Sequence, residues 1–127
     1  MTLSPAWQAF TAEYSLTPEQ CEQFRVFDEL LARENEIMNL TAITNPHEVL
    51  DHHYRDSLAL SAAFDCTLLG GIVDVGTGGG FPGIPLKIKY PQLRVVLIEV
   101  TLKKCRFLEA AIQTLGLENI ELFTEDW

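Results

Sequence analysis

The residues able to do chemistry in this 127-residue chain gather around one stretch, Ile72–Pro85, which reads IVDVGTGGGFPGIP. Its apolar, β-branched start (Ile72, Val73, Val75) has the mark of a buried strand. Asp74 interrupts that run, and Gly76, Thr77, Gly78, Gly79 and Gly80 follow. Such a glycine string permits positive φ and lets another group approach the backbone closely. Pro82 keeps Phe81 out of the helical region, so a helix begins only near Gly83, with Pro85 in its first turn. Strand, glycine turn and helix together open a nucleotide-type pocket at the carboxyl edge of an α/β sheet. Glu99 stands 25 residues after Asp74, at the end of the next apolar run. An acidic group there accepts hydrogen bonds from ribose hydroxyls.

Two registers of the turn compete. Gly78, Gly80 and Gly83 satisfy the dinucleotide pattern G-x-G-x-x-G. Pro82 falls inside it, where a pyrophosphate-binding turn should pass smoothly into a helix, so the register starting at Asp74 fits better. Glu99 suits either. A P-loop is excluded because no Gly-Lys-Ser/Thr follows. His53, Asp56 and Ser57 lie at i, i+3 and i+4, the residue types of a hydrolase triad, but a single helical turn does not give triad geometry. His52 and His53 are adjacent and His47 is five or more positions away, so no metal site is expected. Lys103, Lys104 and Arg106 open a helix, where the dipole disfavours cations, and form a small basic patch able to meet phosphates.

The elements that must position these groups can be read in order. Ser4-Pro5 starts a short helix to about Tyr14, with Trp7 and Phe10 on one face. Thr17-Pro18-Glu19-Gln20 is a capping box for a second helix ending near Asn39, with Cys21, Phe24, Phe27, Leu31 and Met38 as its core stripe. Asn45 and Glu48 repeat the box and predict one helix to about Phe64, burying Leu50, Tyr54, Leu58 and Ala62. From Gly71 the pattern becomes βαβαβ. Strands are expected at Ile72–Val75, Arg94–Glu99 and Ile120–Phe123, with helices at Gly83–Tyr90 and from a Thr101 cap to Gly116. The run Val95-Val96-Leu97-Ile98 is apolar on both faces, as in a parallel strand with helices on each side.

Composition is that of an ordinary globular protein, 47% apolar and 21% charged, with no bilayer-length apolar run and no signal-peptide pattern at the start. Cys21, Cys66 and Cys105 form no C-x-x-C and read as reduced packing residues of a cytoplasmic protein. The net charge of −9 argues against nucleic acid as a simple electrostatic partner, leaving only a local basic patch for that role.

The segment Asp74-Val75-Gly76-Thr77-Gly78-Gly79-Gly80 resembles the acidic-x-G-x-G-x-G motif of class I S-adenosylmethionine methyltransferases. In that family the turn accommodates the methionine moiety and the acidic residue helps to hold its ammonium group. More of the chain follows one branch. Asn39-Leu40-Thr41, His53-Tyr54-Arg55-Asp56-Ser57, the run from Val73 to Leu86 with its FPGIPL extension, and Lys104-Cys105-Arg106-Phe107-Leu108 occur in order. From about Phe24 onward the chain resembles the bacterial small-subunit (16S) rRNA guanine-N7 methyltransferases, the glucose-inhibited division protein B family.

That resemblance implies an α/β fold: a Rossmann-like half-sheet of three parallel strands over residues 67–127, with a helical N-terminal extension over residues 1–66. It implies S-adenosyl-L-methionine as cofactor, bound by Asp74, Gly76, Thr77, Gly78 and Phe81, with Glu99 on the ribose. The family's next cofactor motif, an Ala/Val-Glu pair after the third strand, would begin at Trp127, and its acidic member is missing. It further implies 16S rRNA in the small ribosomal subunit as partner, met by His53, Arg55, Lys103, Lys104 and Arg106. No catalytic acid or base is expected, because guanine N7 offers a lone pair with no proton to remove. Neither a metal nor a membrane enters. The family's later strands are missing, so the chain is expected to be truncated or completed by a partner, and its uncovered strand edge to be open to self-association. The alternatives are an NAD(P)-binding oxidoreductase fragment and an inactive interaction module.

Overall fold

The computed structural model describes residues 4–38, 45–63, 65–67 and 70–124. Asn39-Leu40-Thr41, Phe64 and Trp127 lie outside the described residues. The first helix, α1 (Pro5–Glu13), is capped by Ser4, whose side chain accepts from the Trp7 amide. The second, α2 (Pro18–Met38), starts with the expected reciprocal box. The Gln20 side chain accepts from the Thr17 amide at 2.9 Å, and the Thr17 hydroxyl accepts from the Gln20 amide at 3.1 Å. Gln20 Nε2 also donates to the carbonyls of Ile88 and Lys89 at 3.0 Å each, tying α2 to the α/β part.

The region after Asn45 departs from the single regular helix expected there. It comprises α3 (Pro46–Val49), a π-helical turn (Leu50–Arg55), α4 (Asp56–Ala59) and a 3₁₀ turn (Leu60–Ala62). Leu50, Tyr54 and Leu58 recur every four positions and are all buried. They stay on the buried side while the backbone passes from α to π to 3₁₀ geometry. Tyr54 is further fixed by its hydroxyl, which donates to Asp28 Oδ1 at 2.7 Å. Ala62, expected in the core, is exposed, because the stretch has already tightened into the 3₁₀ turn.

Strands β1 (Gly71–Val75), β2 (Arg94–Ile98) and β3 (Ile120–Phe123) form a parallel sheet in the order β1-β2-β3. They are joined by α5 (Gly83–Lys89) and α6 (Leu102–Leu115). Gly116, with φ 65°, ends α6 in the left-handed conformation. Thr101 precedes α6 as expected, but its side chain makes no cap bond; its own amide is instead held by Glu99. Asp74 and Leu97 share the face that packs into the core, along with fully buried Val95. The other face is not helix-covered among the described residues. Val73, Val75 and Phe123 are 62%, 50% and 54% exposed on it, which corrects the expectation of helices on both sides of the sheet.

The helical region and the sheet share one core. Phe10, Phe24, Phe27 and Tyr54 meet in a ring cluster that continues through Phe81 and Phe107. Among the described residues, no helix is long and apolar enough to cross a membrane.

Candidate cofactor site at the glycine turn

Parallel register sets the site. Val75 pairs with Ile98, so the glycine turn and Glu99 leave the sheet side by side. The amides of Gly76 and Thr77 both donate to the Ile98 carbonyl, at 2.8 and 3.2 Å, bending the chain across the end of β2. Gly76 and Gly78 have φ of 68° and 60°, a region disfavoured for any residue with a side chain. A Cβ built on either would meet no atom within 4 Å, so the space beside the turn is open to another molecule. Gly83 is a different case. A Cβ there would stand 2.4 Å from Leu97 Cδ2, so that glycine serves packing.

Two buried carboxylates bracket the turn. Asp74 Oδ2 accepts from the Thr77 hydroxyl at 2.7 Å and from the Gly83 amide, the first of α5, at 2.9 Å. Glu99 reaches the other side. Its Oε1 accepts from the Gly78 amide at 2.9 Å, and its Oε2 from the amides of Val100 and Thr101 at 3.1 and 3.0 Å. Burial raises the pKa of Asp74, outweighing the bonds from Thr77 and Gly83. At Glu99 burial also pushes upward, but the amides of Thr101 and Gly78, aided by Lys104, hold the carboxyl below its ordinary value.

Phe81 follows the turn and is clamped from the helical side. The His53 ring stacks on it at 4.3 Å and 14°, with Phe27 and Tyr54 at 5.7 and 5.8 Å. Burial, and then neighbouring His52, lowers the His53 pKa, which favours the neutral ring. The structure therefore brings Asp74, Gly76, Thr77, Gly78, Phe81 and Glu99 together, with His53 behind Phe81. Arg55 points elsewhere. Its guanidinium pairs with Glu13 and Asp51 and lies over Phe10, tying the π-helical turn to α1. Lys104 acts on Glu99, whereas Lys103 and Arg106 line a separate cavity of about 380 Å³ between α2 and α6. Ser57 donates to the His53 carbonyl, an ordinary helix bond, so the triad-like trio has no reactive arrangement. No cluster of metal-ligating side chains occurs among the described residues, and the three cysteines are free thiols. Sequence spacing gave no sign of the Asp74–Gly83 bond or of the His53–Phe81 stack, both of which depend on chain packing.

The comparisons with known proteins agree with one another. A family model described as GidB, rRNA small subunit methyltransferase G, matches residues 20–126. Ribosomal RNA small subunit methyltransferase G of Lachnoclostridium phytofermentans is 46% identical over 105 residues, 83% of this chain and 43% of that protein. The like-named protein of Carboxydothermus hydrogenoformans is 42% identical over 120 residues, 93% of this chain and 51% of that protein. That of Staphylococcus saprophyticus is 41% identical over 121 residues, with the same two shares. The chain thus spans about half the length of the curated relatives it matches.

Proposed function

Because the chain belongs to the rRNA small subunit methyltransferase G family, we propose that it carries the cofactor-binding part of an S-adenosylmethionine-dependent methyltransferase acting on guanine N7 of small-subunit ribosomal RNA. Residues 67–127 are then the first half of the cofactor domain, and residues 1–66 its helical extension. The observation that carries the reading is the state of the two amides a diphosphate would need. The Gly83 amide, at the start of α5, is held by Asp74, and the Gly78 amide by Glu99. Two carboxylates at the turn oppose a pyrophosphate, which dinucleotide sites seat on free amides at a helix start. They suit a ligand that brings a cationic ammonium and hydroxyl donors. The open space beside Gly76 and Gly78 fits the same ligand.

S-Adenosylmethionine, when bound, supplies an electrophilic methyl group on a sulfonium. The chain's own residues bind and orient. Gly76 and Gly78 leave room against the backbone, and Glu99, kept ionised by its amide partners, has acceptor capacity left for ribose hydroxyls. Asp74 locks the turn and sets a negative field for the ammonium group. Phe81, fixed by His53, Phe27 and Tyr54, walls the site from the helical side. Guanine N7 presents an in-plane lone pair, so no residue is assigned to move a proton. Alignment alone supplies roughly 7–11 kcal/mol in well-oriented reactions. Trp127, outside the described residues, is proposed to begin the next cofactor-binding segment.

Thermal shift with S-adenosylhomocysteine and with NADH tests the cofactor class. Stabilisation by S-adenosylhomocysteine and none by NADH is expected; a larger shift with NADH would favour the oxidoreductase reading. Methyl incorporation into intact small ribosomal subunits tests the activity. Cofactor binding without incorporation at high protein concentration would favour an inactive binding module.

A further inference from the structure

The chain has nine lysines and arginines against eighteen acidic residues. Six of the nine are engaged within the protein. Arg25 pairs with Glu22 and Glu29, Arg33 with Glu29, Arg55 with Glu13 and Asp51, and Arg94 with Glu121. Lys87 is buried and donates to the carbonyls of Pro91 and Leu93, and Lys89 lies over the Tyr90 ring. Lys103, Lys104 and Arg106 form no ion pair among the described residues. Lys103 and Lys104 stand in the first turn of α6, where the helix dipole opposes them, and Arg106 follows in the next turn. Lys104 acts on Glu99, so Lys103 and Arg106 are the two cations of this carboxylate-rich surface left for another partner.

These two face a groove. Lys103, Arg106, Phe107 and Ala110 follow the i, i+3, i+4, i+7 spacing of one helix stripe, which forms one wall of the 380 Å³ cavity against α2. Leu30, Phe107 and Ala110 give it an apolar floor, and Glu34 stands on the α2 rim, with no ion pair to either cation across from it. We propose that this groove holds one unpaired nucleotide of the RNA substrate, its phosphodiester on Lys103 and Arg106 and its base against the apolar floor. The proposal deepens the methyltransferase reading and rests on it for the identity of the partner. The volume lies in the range of small-ligand clefts, about 300–1,000 Å³, room for one base and not for a duplex. Glu34 keeps the phosphate on the α6 rim by repulsion and accepts from a base that presents an amino group. Single-stranded segments are the form of RNA whose bases can be splayed into such a pocket.

The test measures binding of a short, labelled, single-stranded RNA of mixed sequence to the 127-residue chain by fluorescence anisotropy across a salt series. Lys103→Gln and Arg106→Gln should each lower the slope of log affinity against log salt by about 0.7, the single-strand value per phosphate contact. Arg33→Gln, which removes an ion-paired cation of α2, should leave the slope unchanged. Ala110→Leu fills the groove without altering charge and should weaken RNA binding several-fold at fixed slope. An unchanged slope in the Lys103→Gln/Arg106→Gln double variant would overturn the proposal. So would an equal loss in Arg33→Gln, or an Ala110→Leu protein that binds like the parent. S-Adenosylhomocysteine titrated into the parent reads the cofactor site separately. Its failure to bind, with the slope changes intact, would count against the methyltransferase reading while supporting the groove.

Discussion

Asp74 and Glu99 are both buried carboxylates at the ends of neighbouring strands, yet their environments push them in opposite directions. Asp74 spends one oxygen on a side-chain hydroxyl and one amide, and burial wins. Glu99 divides three backbone amides between its two oxygens and feels Lys104, and the bonds win. The two carboxylates differ in how fully their hydrogen-bond partners offset the cost of burial. Asp74 mainly fastens the turn to α5, whereas Glu99 is a charged acceptor joining the glycine turn to the start of α6.

The largest expected effect comes from removing the charged acceptor. Glu99→Ala leaves the Gly78, Val100 and Thr101 amides without their partner and should lower both stability and S-adenosylhomocysteine affinity, each by roughly 1–3 kcal/mol. Denaturant midpoints and calorimetric titration check it; unchanged affinity would remove Glu99 from the cofactor site. Gly83→Ala attacks the Asp74 side through packing. Its Cβ would press on Leu97 and stand 3.0 Å from Asp74 Oδ2, with an expected loss of about 1–3 kcal/mol. A midpoint equal to the parent's would show that the turn yields there at no cost. Asp74→Asn keeps an oxygen for Thr77 and Gly83 while deleting the charge. Stability should stay within about 1 kcal/mol of the parent, while cofactor affinity falls; equal affinity would make Asp74 a fastening residue alone.

The smallest effect is a difference in pH dependence, and its sign separates the pair. Asp74 has a raised folded pKa, so its contribution is full below the unfolded value of about 3.9 and is lost as pH rises through the folded value. Glu99 has a lowered folded pKa, so its contribution is full above about 4.3 and is lost as pH falls through the folded value. Stability measured from pH 2 to 7 should lose the first dependence in Asp74→Asn and the second in Glu99→Gln. The same curve shape in both variants would contradict the contrast.

Local signals were legible in the sequence where a few neighbouring residues decide the outcome. The Thr17–Gln20 box, the three strands and the Gly116 stop belong to that class. The π-helical turn does not belong to it, and the bond that fixes its buried Tyr54 comes from Asp28, 26 positions away. Arg55 looked available for a substrate because its partner Glu13 lies 42 positions away. The groove beside α6 was half visible: its cations stand together in the sequence, but Leu30 and Glu34 reach it only through the packing of α2. At the glycine turn the residue types were readable, whereas the division of amides between the two carboxylates required the register of β1 and β2.

The most direct measurement is an amide NMR titration of the chain with S-adenosylhomocysteine, with NADH as the parallel ligand. The Gly76, Gly78, Val100 and Thr101 signals should move with S-adenosylhomocysteine and stay in place with NADH. Larger movement of those four amides with NADH, or movement confined to residues away from the glycine turn, would contradict the methyltransferase reading.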